Sequence, residues 1–491
     1  YLSLSLQSRT STLTRVDNVK TEDGSAEESA VETVTVLLFD EDEMCLDVVN
    51  VPSGEITVGN SGGSTPTTAT ASKAQLVPEK TKKVFVVLNS AKWTFTKEAV
   101  VGKAWSTINT AIEAVIGDVA TNSKFVMASA GTKANGALTP VTVHKPATYT
   151  ASDVAAAKKA AEDAPATINV DRLSAKVQVS QASGFTKPTG SNFTFNGWEL
   201  SVTNKSVRLY SDLVTYDNAT PGAVYRRDKN YLESEQPDVS DNNTKEANMD
   251  AVFNYLKNIK NVSENMPAVA QIDNASLYCL ENTMEAKAQQ LGFTTKVVVK
   301  AQYTPDGITK DANYFSWKGA YYTLEQLKAE YLKHSDGTGL KVDLPIFLIK
   351  AGVMSQAEFD EGQDKRNEIV ANLSEGAAAN QLNAKTGIIG RFCAVRYYHE
   401  SVCYYDVLIR HDQNITTKMA LGRYGVVRNN WYNIELNSVS GPGTPWIPDP
   451  SDPDPTNPTP PDTDDDEADA YLSVKITINP WTYWSQGVDL H

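Results

Sequence analysis

The sequence predicts a mainly β protein of β-sandwich type with a few inserted helices, and three observations carry that prediction. Short Val/Ile/Thr/Tyr-rich runs recur along the whole chain, each bounded by Gly, Asn, Asp or Pro. Helical periodicity is confined to a few stretches between them. A Pro/Asp-rich tract over 441–469 is followed by one more strand-like run. At 491 residues the chain exceeds what one hydrophobic core usually serves, so two folded units with additions are expected.

The chain opens with Tyr1-Leu2-Ser3-Leu4-Ser5-Leu6, where Leu2, Leu4 and Leu6 alternate with Ser3, Ser5 and Gln7 as one apolar face of a strand requires. A Ser/Thr-rich loop, QSRTSTLTRVDN, comes next. Further strands are predicted over 31–40, 82–89, 123–129, 166–180, 196–211, 294–303, 391–398, 402–411 and 431–440. Helices are expected over 104–117, 152–164, 323–333 and 355–373. In the third, Thr323 and Gln326 have capping-box spacing and Leu324, Leu327 and Tyr331 share a face; Ser355 and Glu358 stand in the same relation at the start of the fourth. The Gly/Ser/Thr/Pro-rich stretch Ala182 to Phe193 is the expected junction between two domains, 1–182 and 183–440. The tract 441–469 reads as an extended, solvated linker; at about 3.1 Å per residue it spans on the order of 75 Å.

Composition excludes several classes. The net charge is −15 and no Lys/Arg cluster alternates with aromatics, so no nucleic-acid partner is expected. No run approaches the ~20 apolar residues of a membrane span, and the chain opens on Tyr1 rather than Met, which reads as a processed or trimmed chain. No GxSxG elbow, Walker loop, HExxH or strand-following GxGxxG is present, so neither an enzyme nor a cofactor is expected. His144, His334, His399, His411 and His491 lack ligand spacing, and the acid run Asp462 to Asp469 lacks the glycine turn and distal Glu of a calcium loop, so no metal is expected. Cys45, Cys279, Cys393 and Cys403 read as small buried hydrophobes, with a Cys393–Cys403 bridge as the alternative. Trp93, Trp317, Tyr321 and Tyr322 suit sugar stacking or, more commonly in β proteins, the core.

The two ends of the chain form the informative pair. Leu472, Val474, Ile476 and Ile478 alternate with Ser473, Lys475, Thr477 and Asn479, so Tyr471 to Ile476 lines up with Tyr1 to Leu6. A strand with one apolar face needs that face covered and its edges paired. Two strands with the same spacing fit the same groove, and the second sits on a tether. Folding of the last strand back onto its own domain as an edge strand is the plainer alternative. Burying its four apolar residues gives roughly 6–12 kcal/mol gross, against about 1–2 kcal/mol for each residue ordered. A central position with two hydrogen-bonded neighbours is therefore expected, ending at Pro480, which cannot donate to a ladder.

Three segments carry a resemblance to a known family: KKVFVVLNS (82–90); LYCLENTM (277–284) with KVVVKAQYTP (296–305); and GRYGVVRNNWYNIELNSVSGPG (422–443) followed by the Asp-Pro tract and YLSVKITINPWTYWSQGVDL. The sequence resembles the shaft pilins of the type V fimbriae of Bacteroidales, most closely the short-fimbria shaft subunit of that fimbrillin family. Residues 90–165 and 305–390 match only loosely. The resemblance implies two transthyretin-like β-sandwich domains and export to the outer membrane as a lipoprotein precursor. It also implies cleavage by an arginine-specific protease after the first strand, at Arg15 or Arg9, removing 1–15. The opened groove would take the donor strand within 470–491 of another copy. The implied role is a structural shaft subunit of a cell-surface fimbria serving adhesion, biofilm formation and virulence, in contact with copies of itself, anchor and tip subunits, and host or bacterial surface ligands. A non-polymerising tip or carbohydrate-binding adhesin is the alternative.

Overall fold

The computed structural model describes residues 1–8, 28, 30–51, 56–58, 68–71, 73–90, 93, 95–110, 112–114, 116–121, 124–215, 224–257, 275–374, 387–412, 415–451, 465 and 472–480. The fold is mainly β, as the recurrent strand signals require.

The first half builds one large sheet. Its strands are β1 (Leu4–Ser8), β2 (Val34–Phe39), β3 (Cys45–Val51), β4 (Ile56–Val58), β5 (Thr68–Ala71), β6 (Lys83–Leu88), β7 (Met127–Ser129), β8 (Thr139–Pro140) and β9 (Ala166–Arg172). Their order is β3-β2-β6-β7-β9-β1-β5-β4, with β8 beside β6. The central strands are apolar on both faces, which is why β2 and β6 read as continuous hydrophobic runs. Leu37, Phe39, Phe85 and Val87 face one core together with Trp93, Val100 and Trp105. Val34, Val36, Leu38, Val84 and Val86 face a second core, which also holds Leu2, Leu4 and Leu6. Strands four places apart lie nearly 20 Å from each other in a flat sheet. One core drawing on both β2 and β1 therefore requires the sheet to fold over on itself.

The second half is a sandwich. One sheet runs β12-β10-β18-β19, from β10 (Ser174–Thr186), β12 (Ser276–Leu280), β18 (Asn430–Val439) and β19 (Leu472–Pro480); the other runs β11-β13-β17, from β11 (Asn192–Ser201), β13 (Lys296–Thr304) and β17 (Val402–Leu408). Ala175, Val177 and Val179 with Tyr432, Ile434 and Leu436 from the first meet Trp198, Val297, Val299, Ala301, Cys403 and Tyr405 from the second. A satellite layer, β14 (Tyr314–Trp317), β15 (Ala320–Tyr322) and β16 (Val395–Tyr398), carries helices α2 (Leu324–Lys333), α3 (Leu340–Lys350), α4 (Gln356–Asp360) and α5 (Gln363–Asn372) over its own core. Helix α1 (Ala151–Asp163) precedes β9. No helix among the described residues is long and apolar enough to cross a membrane.

The change of sheet falls at Leu173, between β9 and β10, and the Gly/Pro-rich stretch ends β10 and turns the chain into β11. Several expectations are corrected. The helix expected over 104–117 breaks into Trp105–Ile108 and Ile116–Val119 around a two-residue strand, Ile112–Glu113, paired with Ser206–Val207. The β-branched Thr107, Ile108, Thr110 and Ile112 disfavour a continuous helix there. The helix expected over 355–373 is interrupted at Gly362, whose φ of 114° only glycine adopts readily. Nor is the start of the 441–469 tract a free tether. Thr444 exchanges two backbone hydrogen bonds with Tyr404. The hydroxyls of Tyr405 and Tyr398 donate to the carbonyls of Gly441 and Gly443, and Ile447 packs with Leu256, Val298 and Tyr404. Further along, Asp465 is buried and accepts from Thr294 Oγ1 at 2.5 Å. The carbonyls and small residues of this tract satisfy buried hydroxyls that the sandwich would otherwise leave unpaired.

Candidate strand-exchange site

The first strand occupies an interior place. β1 runs parallel to β9, Leu4 opposite Ala166 through Ser8 opposite Val170, and antiparallel to β5, Leu6 opposite Ala69. Its entry is pinned by the backbone. Leu2 and Gln75 exchange hydrogen bonds at 3.0 and 2.8 Å, His144 N donates to Tyr1 O, and Ala166 N donates to Ser3 O. Leu2, Leu4 and Leu6 are each 4% exposed or less, worth roughly 5–9 kcal/mol gross. The alternation read in the sequence therefore marks a strand with both edges paired and its apolar face covered.

Among the described residues the last strand has one neighbour. β19 is antiparallel to β18 along nine residues, with a bulge between Leu436 and Ser438. The register sets Leu472, Val474, Ile476 and Ile478 opposite Val439, Leu436, Ile434 and Tyr432, the four β18 positions whose side chains enter the core. Lys475 stands opposite Glu435, and Pro480 is the last residue of the strand. Among the described residues of this single chain β19 is the edge of its own sheet, because β10 and β12 already fill the other side of β18; the central position is expected of the strand in another copy. The two terminal strands lie in different sheets and do not meet.

Arg9 and Arg15 lie outside the described residues, as do Tyr471 and Asp462. Beyond the segment holding Arg9 and Arg15, the chain is firmly held at Glu28. This residue is buried, accepts from Lys176 Nζ at 2.8 Å and Tyr278 Oη at 2.7 Å, and its backbone carbonyl accepts from Arg172 Nε at 2.9 Å. No motif announces it; one of three glutamates in EESAVE looks like a solvated acid.

The other candidates are absorbed by packing. Trp93 and Trp317 are core residues, leaving Tyr321 and Tyr322 half-buried. Cys403 lies in the sandwich core and Cys393 against the satellite core; all four cysteines are free thiols. Burial pushes the Cys279 thiol up to about 12 and the Cys403 thiol to about 11, so neither is a poised nucleophile. No group of three or more His, Cys, Asp or Glu among the described residues is arranged to hold a metal ion.

Residues 396–487 match the family model described as "Major fimbrial subunit protein type IV, Fimbrillin, C-terminal". No curated protein sequence matches the chain. Among solved structures, the chain is similar to a fimbrilin from Porphyromonas gingivalis W83 at 14% identity, covering 99% of this chain and 98% of that one, with a TM-score of 0.37. It is similar to the tip fimbrial protein of Porphyromonas gingivalis with C-terminal truncation at 12% identity, covering 98% and 100%, with a TM-score of 0.35. A fimbrial assembly protein from Parabacteroides distasonis is 14% identical over 61% of this chain and 81% of that one, with a TM-score of 0.30. Scores this low carry no argument, and the fold assignment rests on the strands and sheets themselves.

Proposed function

We propose, from the match of residues 396–487 to the fimbrillin C-terminal family model, that this chain is a fimbrillin and a shaft subunit of a cell-surface fimbria polymerising by strand exchange. In this reading an arginine-specific protease cuts at Arg15 or Arg9, the segment 1–15 leaves, and the strand 472–480 of another copy takes its place. The supporting observation is the asymmetry of the two terminal strands. β1 has two paired edges and a covered apolar face, so its loss would expose both β9 and β5; β19 carries the same alternation but has one neighbour. Moving a strand from a one-neighbour edge to a two-neighbour groove gains a second ladder and removes an open edge. Anchor and tip subunits, an outer-membrane lipoprotein precursor and a role in adhesion and biofilm formation belong to the same proposal.

The ladder between β18 and β19 favours a second reading, in which the last strand is an intrachain element of a non-polymerising tip or surface adhesin. Electron microscopy before and after arginine-specific proteolysis separates the two. Fibres are expected only after the cut, and only from chains retaining both Arg9 and Arg15 or the one that is used. Fibres at normal yield from the Arg9→Ala, Arg15→Ala double variant, first strand still attached, would overturn the activation step.

A further inference from the structure

We propose that Glu28 is a positioning residue, a staple that anchors the retained chain behind the cut and keeps β2 in place once β1 has gone. The inference rests on the processing reading above and goes beyond it. The Glu28 carboxylate binds Lys176 of β10 and the hydroxyl of Tyr278 on β12, while its carbonyl binds Arg172 at the end of β9. Lys176 is in turn held 4.1 Å over the ring of Trp431 on β18. Tyr278 packs on the core that contains Leu2, Leu4 and Leu6, its ring edge-on to Phe125. One residue thus ties the retained chain to both halves, its side chain to β10 and β12 and its carbonyl to β9, beside the core that β1 fills.

A second anchor lies just downstream. The buried Asn89 amide donates to the carbonyls of Ala30 and Phe125 at 2.8 and 3.0 Å and accepts from the N–H of Glu32 at 2.8 Å. The chain is therefore gripped at Glu28 and again at Ala30 and Glu32, shortly before β2. The sequence reinforces the same boundary: after Lys20 there is no Lys or Arg until Lys73, so a protease that needs a basic residue has no site between the loop and β5. Without the Glu28 carboxylate, removal of β1 would leave β2 continuous with a cut end that has lost its ties to Lys176 and Tyr278.

The test uses the full chain as wild type, Glu28→Gln, which keeps an acceptor for Tyr278 but loses the charge opposite Lys176, and Glu28→Ala. Each is cut with an arginine-specific protease, trimmed with proteinase K and mapped by mass spectrometry, and amide exchange is followed over Val34–Phe39 before and after the cut. Trimming of wild type is expected to stop at or before residue 28, and that of Glu28→Ala to run past it. Exchange in the cut Glu28→Ala chain should be about tenfold faster or more, with Glu28→Gln between and the uncut chains alike. The same stopping point and exchange in all three cut chains overturns the staple, as does a Glu28→Ala chain loosened equally before cutting. A chain that the arginine-specific protease leaves intact counts against the processing reading instead, and the staple is then read from where proteinase K stops on that intact chain.

Discussion

Two buried side chains, Asp228 and His411, set opposing dependences of stability on pH. Burial, with the Glu281 charge beside it, pushes Asp228 up to about 7 from 3.8, even though N–H groups of Asn204, Asn230 and Thr283 donate to its carboxylate. Burial pushes His411 down to about 4 from 6.5; Asp412 and Glu281 oppose that shift, and its Nδ1 lies 2.9 Å from the Tyr432 hydroxyl. The folded chain holds the Asp228 proton more tightly than the unfolded chain does. That contribution is complete below pH 3.8 and is lost as pH rises through about 7. For His411 the unfolded chain binds the proton more tightly, so its contribution is complete above pH 6.5 and is lost as pH falls through about 4. The windows overlap, and terms of roughly 1–4 kcal/mol with opposite sign cancel. Denaturant midpoints of the Asp228→Asn chain are expected to fall on acidification from about pH 6.5 to 4.5, and those of His411→Gln to rise, with wild type between the two. Parallel profiles in the two variants would show that these groups do not titrate in that range.

At the scale of elements, β19 is the piece whose removal discriminates most. Deleting residues 470–491 takes away a ladder on one side of β18 and leaves β10 on the other, so a folded, soluble monomer that forms no fibres is expected. A large fall in melting temperature would make β19 an indispensable member of its own sandwich. Within the strand, Val474→Asp falls opposite Leu436, a core position, and is expected to abolish capping of fibre ends by a peptide covering 471–479; Lys475→Asp, opposite Glu435, should matter far less. Much of this was legible in the sequence because the signals are local. The Leu/Ser alternation of β1, the alternation of β19 and the capping box of Thr323 with Gln326 each need only a few neighbouring residues, and the capping box is present with Leu324, Leu327 and Tyr331 buried beneath it. Long-range pairing was not legible. Nothing near Leu4 announces that its neighbour is Ala166, and nothing in the glycines of the 441–469 tract announces tyrosine hydroxyls from β16 and β17. Helix α3 was missed altogether, because Leu340–Lys350 is apolar on nearly every side and contains Pro345, which argues against a helix unless packing overrides it.

Over the whole molecule the two halves interlock across a polar seam. Val207, Leu209, Tyr210 and Leu280, all beyond the change of sheet at Leu173, sit in the core of the first half. Around them lie buried ion pairs: Arg428 with Glu281, at 2% and 1% side-chain exposure, and Arg226 with Asp171 of β9. Asn429 adds hydrogen bonds to Arg172 and Asp171. Arg428 also donates to the carbonyls of Leu209 at 2.8 Å and Arg208 at 2.9 Å, so its guanidinium satisfies the backbone that enters the first core. Removing one member of such a group strands both a charge and two carbonyls, whereas the exposed pair Lys159 with Asp163 on α1 leaves nothing unsolvated when broken. Arg428→Ala is therefore expected to cost about 3–5 kcal/mol, seen as a melting temperature lower by roughly 3–5 °C in a chain of this size, while Lys159→Ala shifts it by less than about 1 °C. Calorimetry should give one transition for wild type, since the core of the first half is completed by Val207, Leu209, Tyr210 and Leu280 of the second. In Arg428→Ala the transition should broaden or split, the first half loosening ahead of the sandwich. A single sharp transition at an unchanged temperature would mean that Val207, Leu209, Tyr210 and Leu280 couple the halves alone, with the ion pairs contributing nothing net.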